Sequence, residues 1–67
     1  MLTKRSFSLS GHRTSVALET EFWDALIGLA QARDLTLAAL VADIDAARAA
    51  ERPLASALRV YALVQVR

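Results

Sequence analysis

The sequence predicts a mainly α chain with a short N-terminal β-strand, completed as a homodimer, and three observations carry that prediction. First, the hydrophobic period changes inside "GHRTSVALETEFW", residues 11 to 23. Polar and apolar residues nearly alternate from His12 to Leu18, and from Phe22 the apolar ones recur at helical spacing. Second, the chain is 55% hydrophobic over only 67 residues, a high share for a domain near the lower size limit for folding alone. Third, a lone strand cannot satisfy its backbone groups. Two copies that pair their strands antiparallel and interlock their helices answer the last two problems together.

Residues 1–11 read as a basic arm or as an extra short strand. Arg5 to Leu9 alternate, with Phe7 and Leu9 on one face, and Ser10-Gly11 offers a turn or a bulge. The ribbon strand is residues 12–18, where Thr14, Val16 and Leu18 face one way and Arg13, Ser15 and Ala17 the other. The β-branched Thr14 and Val16 suit a pleated surface.

The first helix is expected over residues 20–33. Glu19, Glu21 and Asp24 stand where the positive end of its dipole favours acids. Phe22, Leu26, Leu29 and Ala30 make its buried stripe, with Trp23 and Ile27 widening one flank. Gly28 costs about 1 kcal/mol relative to Ala inside a helix and allows a close helix contact there. Asp34-Leu35-Thr36 is a break, and Thr36 caps a second helix over residues 37–50 with Leu37, Leu40, Val41, Ile44 and Ala47 at core spacing. Glu51-Arg52-Pro53 stops that helix, and Pro53 suits the first turn of a third over residues 54–66. This last segment is apolar nearly all round, and its run Val60 to Val64 also fits a strand. As a helix it is expected to cover the first one near Trp23 and Ile27.

Composition narrows the function. The chain has no cysteine, which fits a reducing cytoplasm and removes disulfide and thiolate–metal sites. No apolar run reaches the roughly 20 residues that span a bilayer, so a soluble cytoplasmic protein without a membrane partner is expected. His12 is the only histidine, Asp43 and Asp45 point to different sides of a helix, and there is no Gly-rich phosphate loop or spaced ligand set. An enzyme, a metal and a cofactor are therefore not expected. The net charge of +1 is uneven: residues 1–13 carry Lys4, Arg5 and Arg13 for +3, and the remainder sums to −2. A positive end suggests an anionic partner, against the plainer reading of a solubilising tail. A two-stranded ribbon fits the major groove of B-DNA, where Arg13, Ser15 and Ala17 of each strand would face base edges.

The stretch "HRTSVALETEFWDALIGLAQARDLTLAALVADIDAAR" resembles the ribbon–helix–helix superfamily, the Arc and MetJ type of small bacterial and phage repressors. Over about residues 4–66 the chain is similar to short ribbon–helix–helix domain proteins of α-proteobacterial type. In these a "GHRTSV-L" strand leads into an "EFW" helix, a "LT/SLxALV" helix and a C-terminal "ALR" segment. The resemblance implies a homodimeric DNA-binding transcription regulator, with Arg13, Ser15 and Ala17 as base readers. Lys4 and Arg5 become a phosphate-contacting arm, and Thr36 and Leu37 the helix start that holds a DNA phosphate. Val16, Leu18, Phe22, Leu26, Leu29, Leu40, Val41 and Ile44 become the dimer core. Two positions depart from the superfamily pattern: Asp34 stands where Gly is frequent, and Ala17 offers a base no side-chain hydrogen bond. A second reading is an antitoxin-like or adaptor module that binds a partner protein through the apolar C-terminal segment.

Overall fold

The computed structural model describes residues 1–65, in the order β1 (Leu2–Leu9), β2 (His12–Glu19), α1 (Thr20–Ala32), α2 (Leu37–Ala47) and α3 (Leu54–Gln65). The expected fold class holds, with the strand element first and helices after it. The segment from Val60 to Gln65 is helical, so the strand alternative there falls; Val66 lies outside the described residues.

The open question at the N-terminus resolves as a strand. β1 and β2 form an antiparallel two-stranded sheet with Leu9 opposite His12 and Leu2 opposite Glu19. Ser10 and Gly11, the two residues between them, both have positive φ, 51° and 81°. That is the type I′ arrangement, whose twist matches the flanking strands. Gly11 serves this backbone angle alone, since a Cβ there would meet nothing within 4 Å. The premise that β2 has no partner in its own chain therefore does not hold.

Adding β1 also changes the core. The underside of the hairpin contributes Phe7, Leu9, Val16 and Leu18, which pack on Trp23, Leu26 and Ala30 of α1, Leu40, Val41 and Ile44 of α2, and Ala57, Leu58 and Ala62 of α3. Six residues expected in a dimer core, Val16, Leu18, Leu26, Leu40, Val41 and Ile44, are thus buried inside one chain. The α1 stripe is rotated from the expected one: Trp23 is 1% exposed, while Phe22 and Leu29 are half-buried. The cause is β1. Phe7 lies 5.8 Å from the Trp23 ring, and the Trp23 indole N–H donates to the Thr3 carbonyl at 2.7 Å. Burial of Phe7 and Leu9 stabilises the attachment of β1 by about 1.5–3 kcal/mol each.

Two further expectations are corrected. Ala47 is exposed and ends α2, which stops short of residue 50 because Arg48 adopts extended angles. The Arg48 guanidinium donates to the Asp45 carboxylate at 2.8 Å and to the Arg52 carbonyl at 2.9 Å, fixing the loop instead. Gly28 is exposed, and no helix of this chain comes within 4 Å of a Cβ there. α3 shares the core with Trp23 through Ala57, Leu58 and Ala62, and it also reaches Phe22 and Ala25 of α1: Ala62 and Leu63 border the same small depression as these two, and the Arg59 guanidinium lies 5.8 Å from the Phe22 ring.

Arg59 also pairs with Glu19 at 3.0 Å, joining α3 to the end of β2. The Glu19 carboxyl is held below its ordinary value of 4.5, first by its own backbone N–H and then by Arg59. A carboxyl depressed in this way favours the folded chain fully above that value, and its contribution fades only as pH falls below it.

α1 and α2 meet at a 97° bend. The Leu35 N–H donates to the Ala30 carbonyl at 2.8 Å and the Asp34 N–H to the Gln31 carbonyl at 3.1 Å, the two bonds of a Schellman stop. Asp34 supplies its left-handed residue at φ 57°. Asp34→Gly is therefore expected to stabilise the chain by about 0.5 kcal/mol, the relief of the left-handed strain less the extra unfolded-state entropy of Gly. The readout is a higher thermal midpoint, and a lower one contradicts the strain assigned to Asp34. Among the described residues no single helix is long and apolar enough to cross a membrane.

Candidate nucleic-acid interface

Residues opposite each other in an antiparallel pair share a face, so the register sorts the hairpin into two sides. The pairs Phe7–Thr14, Arg5–Val16 and Thr3–Leu18 lie toward the helices. The pairs Ser8–Arg13, Ser6–Ser15 and Lys4–Ala17 lie on the outer side. All six outer residues are exposed except Ala17, which is half-buried. The alternation seen in the sequence thus produces a polar face by local geometry alone.

This face has a definite chemistry. Arg13 and Lys4 make no side-chain hydrogen bond or ion pair among the described residues, so both cations are free to meet an anion. The Ser6 and Ser15 hydroxyls are 2.8 Å apart, and Ser8 stands across from Arg13. The acid on this side, Glu19, sits at its far end and is tied to Arg59. The surface offers two positive charges and three hydroxyls, each hydroxyl able to donate and accept.

The expected arm residues separate. Lys4 joins the outer face, whereas Arg5 belongs to the side facing α1, opposite Val16, with its guanidinium 5.6 Å from the Trp23 ring centroid. A cation over an indole is held there by the ring quadrupole. Thr36 caps α2 as expected: its hydroxyl accepts from the Ala39 N–H at 3.0 Å, and Leu37 opens the helix with an amide that has no intrahelical acceptor. α2 in turn packs against β1. Ser6 and Ser8 also stand exposed on this outer face, where they were not expected. Their signal was present in the alternation of residues 5–9 and the Ser10-Gly11 turn.

Elsewhere a depression of about 590 Å³ separates the C-terminal ends of α2 and α3. Ile44, Val60 and Val64 line it, and Arg33 at its rim is committed to Asp43 at 3.6 Å and to the Tyr61 hydroxyl at 3.3 Å. Among the described residues, no group of three or more His, Asp or Glu is placed to hold a metal ion.

A family model described as a ribbon-helix-helix domain matches residues 2–66, almost the whole chain. No curated protein and no solved structure matches.

Proposed function

The chain belongs to the ribbon–helix–helix domain family, and from that premise we propose that it is a homodimeric DNA-binding transcription regulator of repressor type. The fold is a regulatory DNA-binding one rather than an enzymatic one, found generally in transcription regulators and antitoxins. The observation that carries the finer reading is the outer hairpin face, where Lys4 and Arg13 have no side-chain partner among the described residues and stand beside hydroxyls. In the proposed complex this face enters the major groove. Arg13 and Ser15 read bases, Ala17 touches a thymine methyl, and Lys4 holds a phosphate. The start of α2 at Thr36 and Leu37 offers backbone N–H groups to another phosphate. Arg5 supports the fold through Trp23 and adds charge nearby.

Self-association draws support from apolar surface that one chain leaves uncovered. Val60, Leu63 and Val64 of α3 are 44%, 58% and 51% exposed and share one side of the helix. The same stripe favours the second reading, an antitoxin-like or adaptor module whose α3 docks a partner protein.

Gel shifts with mixed duplex DNA at two salt concentrations separate the readings. The regulator is expected to bind at low salt and to lose affinity steeply as salt rises, because each phosphate contact releases counterions. Sedimentation equilibrium of the free protein should give twice the chain mass. Absence of binding at low salt puts the interaction module first.

A further inference from the structure

We infer that the depression between α2 and α3 binds a small amphipathic monocarboxylate, its aliphatic body against the helices and its carboxylate at Arg52. The inference goes beyond DNA binding and does not depend on it.

Size and lining are the first argument. The depression measures about 590 Å³, inside the range of about 300–1,000 Å³ that small-molecule sites occupy. Buried Ile44 and Ala57 line it together with Val60 and Val64, which are 44% and 51% exposed. Alanine at positions 47, 49 and 57 leaves open the space that longer side chains would fill. Most of this lining is aliphatic, so an aliphatic body is what it covers best.

Charge on the lining is the second argument. Arg33, Arg48 and Arg52 stand there against one carboxylate, that of Asp43. Two of the three arginines are already committed. Arg33 pairs with Asp43 at 3.6 Å, and Arg48 holds Asp45 at 2.8 Å and the Arg52 carbonyl at 2.9 Å. Arg52 has no carboxylate partner among the described residues. Its guanidinium donates from Nη1 to the Ser56 hydroxyl at 3.2 Å, which leaves the Nε and Nη2 donors for an acceptor.

One uncompensated cation is matched by a monoanion. A carboxylate carries a single charge at neutral pH and meets a guanidinium with two parallel bonds, whereas a phosphate monoester brings about −1.5 to −2. Arg52 also stands two residues before α3 begins, at the end where a helix dipole favours an anion. The Tyr61 hydroxyl accepts from Arg33 at 3.3 Å and keeps its own proton, a further donor on the lining. A second copy of the chain has another place to seat. Leu63 borders a separate depression with Phe22 and Ala25, so self-association there leaves this one open.

The test titrates the full chain with octanoate at neutral pH and with 1-octanol, which has the same chain length and no charge. The methyl resonances of Ile44, Val60 and Val64 are followed by nuclear magnetic resonance. Octanoate is expected to shift them saturably with a Kd of about 1 mM or tighter, and octanol to bind at least about fivefold more weakly. Arg52→Gln should weaken octanoate about tenfold, leave octanol unchanged and keep the parent's thermal midpoint, since Arg52 is exposed. Val60→Gln should weaken both ligands. Absence of saturable shifts up to about 10 mM octanoate overturns the site. Equal affinity for octanol, or an Arg52→Gln variant that keeps the parent's affinity for octanoate, overturns the assignment of the carboxylate. Sedimentation equilibrium covers the rival occupant: if Val60→Gln halves the mass of the free protein, a second copy fills the depression and the inference falls.

Discussion

Replacing Arg13 with alanine is expected to lower affinity for its best DNA site at least about 100-fold, with the fold unchanged. Arg13 lies on the outer face of the hairpin, exposed and without an intrachain partner among the described residues. Nothing in the core depends on it. A bidentate arginine–guanine contact contributes about 1–3 kcal/mol of discrimination, and a dimer loses it twice. Lys4→Ala separates charge from readout. Lys4 lies on the same face, four residue pairs further along the register, and its loss should weaken binding evenly across sequences and flatten the salt dependence. Titrations of both variants at two salt concentrations give the comparison. If Arg13→Ala binds its best site as tightly as the parent, the outer face is not the reading surface and the interaction module becomes the leading function.

Leu26→Asp or Val41→Asp should abolish the folded chain. Both side chains are 0% exposed, in a core to which the described residues contribute no buried polar or charged side chain. A carboxylate placed there would have neither water nor a partner cation, and an unpaired buried charge costs several kcal/mol. A domain of this size commands only about 5 kcal/mol in all. Loss of the helical far-ultraviolet signal and a red shift of Trp23 emission would report unfolding. A folded variant would show that these positions are not the centre of the core. The expected failure belongs to each chain, since the residues are buried without any contribution from a second copy. High protein concentration is therefore not expected to rescue the variants, as it would if only a dimer interface were damaged.

The sequence by itself determined the features that depend on neighbours along the chain. Alternation from Arg13 to Leu18 set which residues face outward, because successive strand side chains must point to opposite sides. Thr36 as a cap, the stop at Asp34 and the turn at Ser10-Gly11 likewise follow from local backbone and hydrogen-bond requirements. Tertiary structure decided what covers each surface. Phe22 and Trp23 are adjacent on a helix, only about 100° apart, so periodicity alone does not say which is buried. Phe7 and the Thr3 carbonyl select Trp23. The partner of β2 was equally undetermined, because a strand edge is satisfied by any strand, from the same chain or another. A two-residue turn keeps β1 beside β2 at a high effective concentration with little loop-closure entropy, whereas a second copy must first be recruited from solution. Leu9 and Phe7 then fasten β1 to a core whose shape exists only once all three helices have packed.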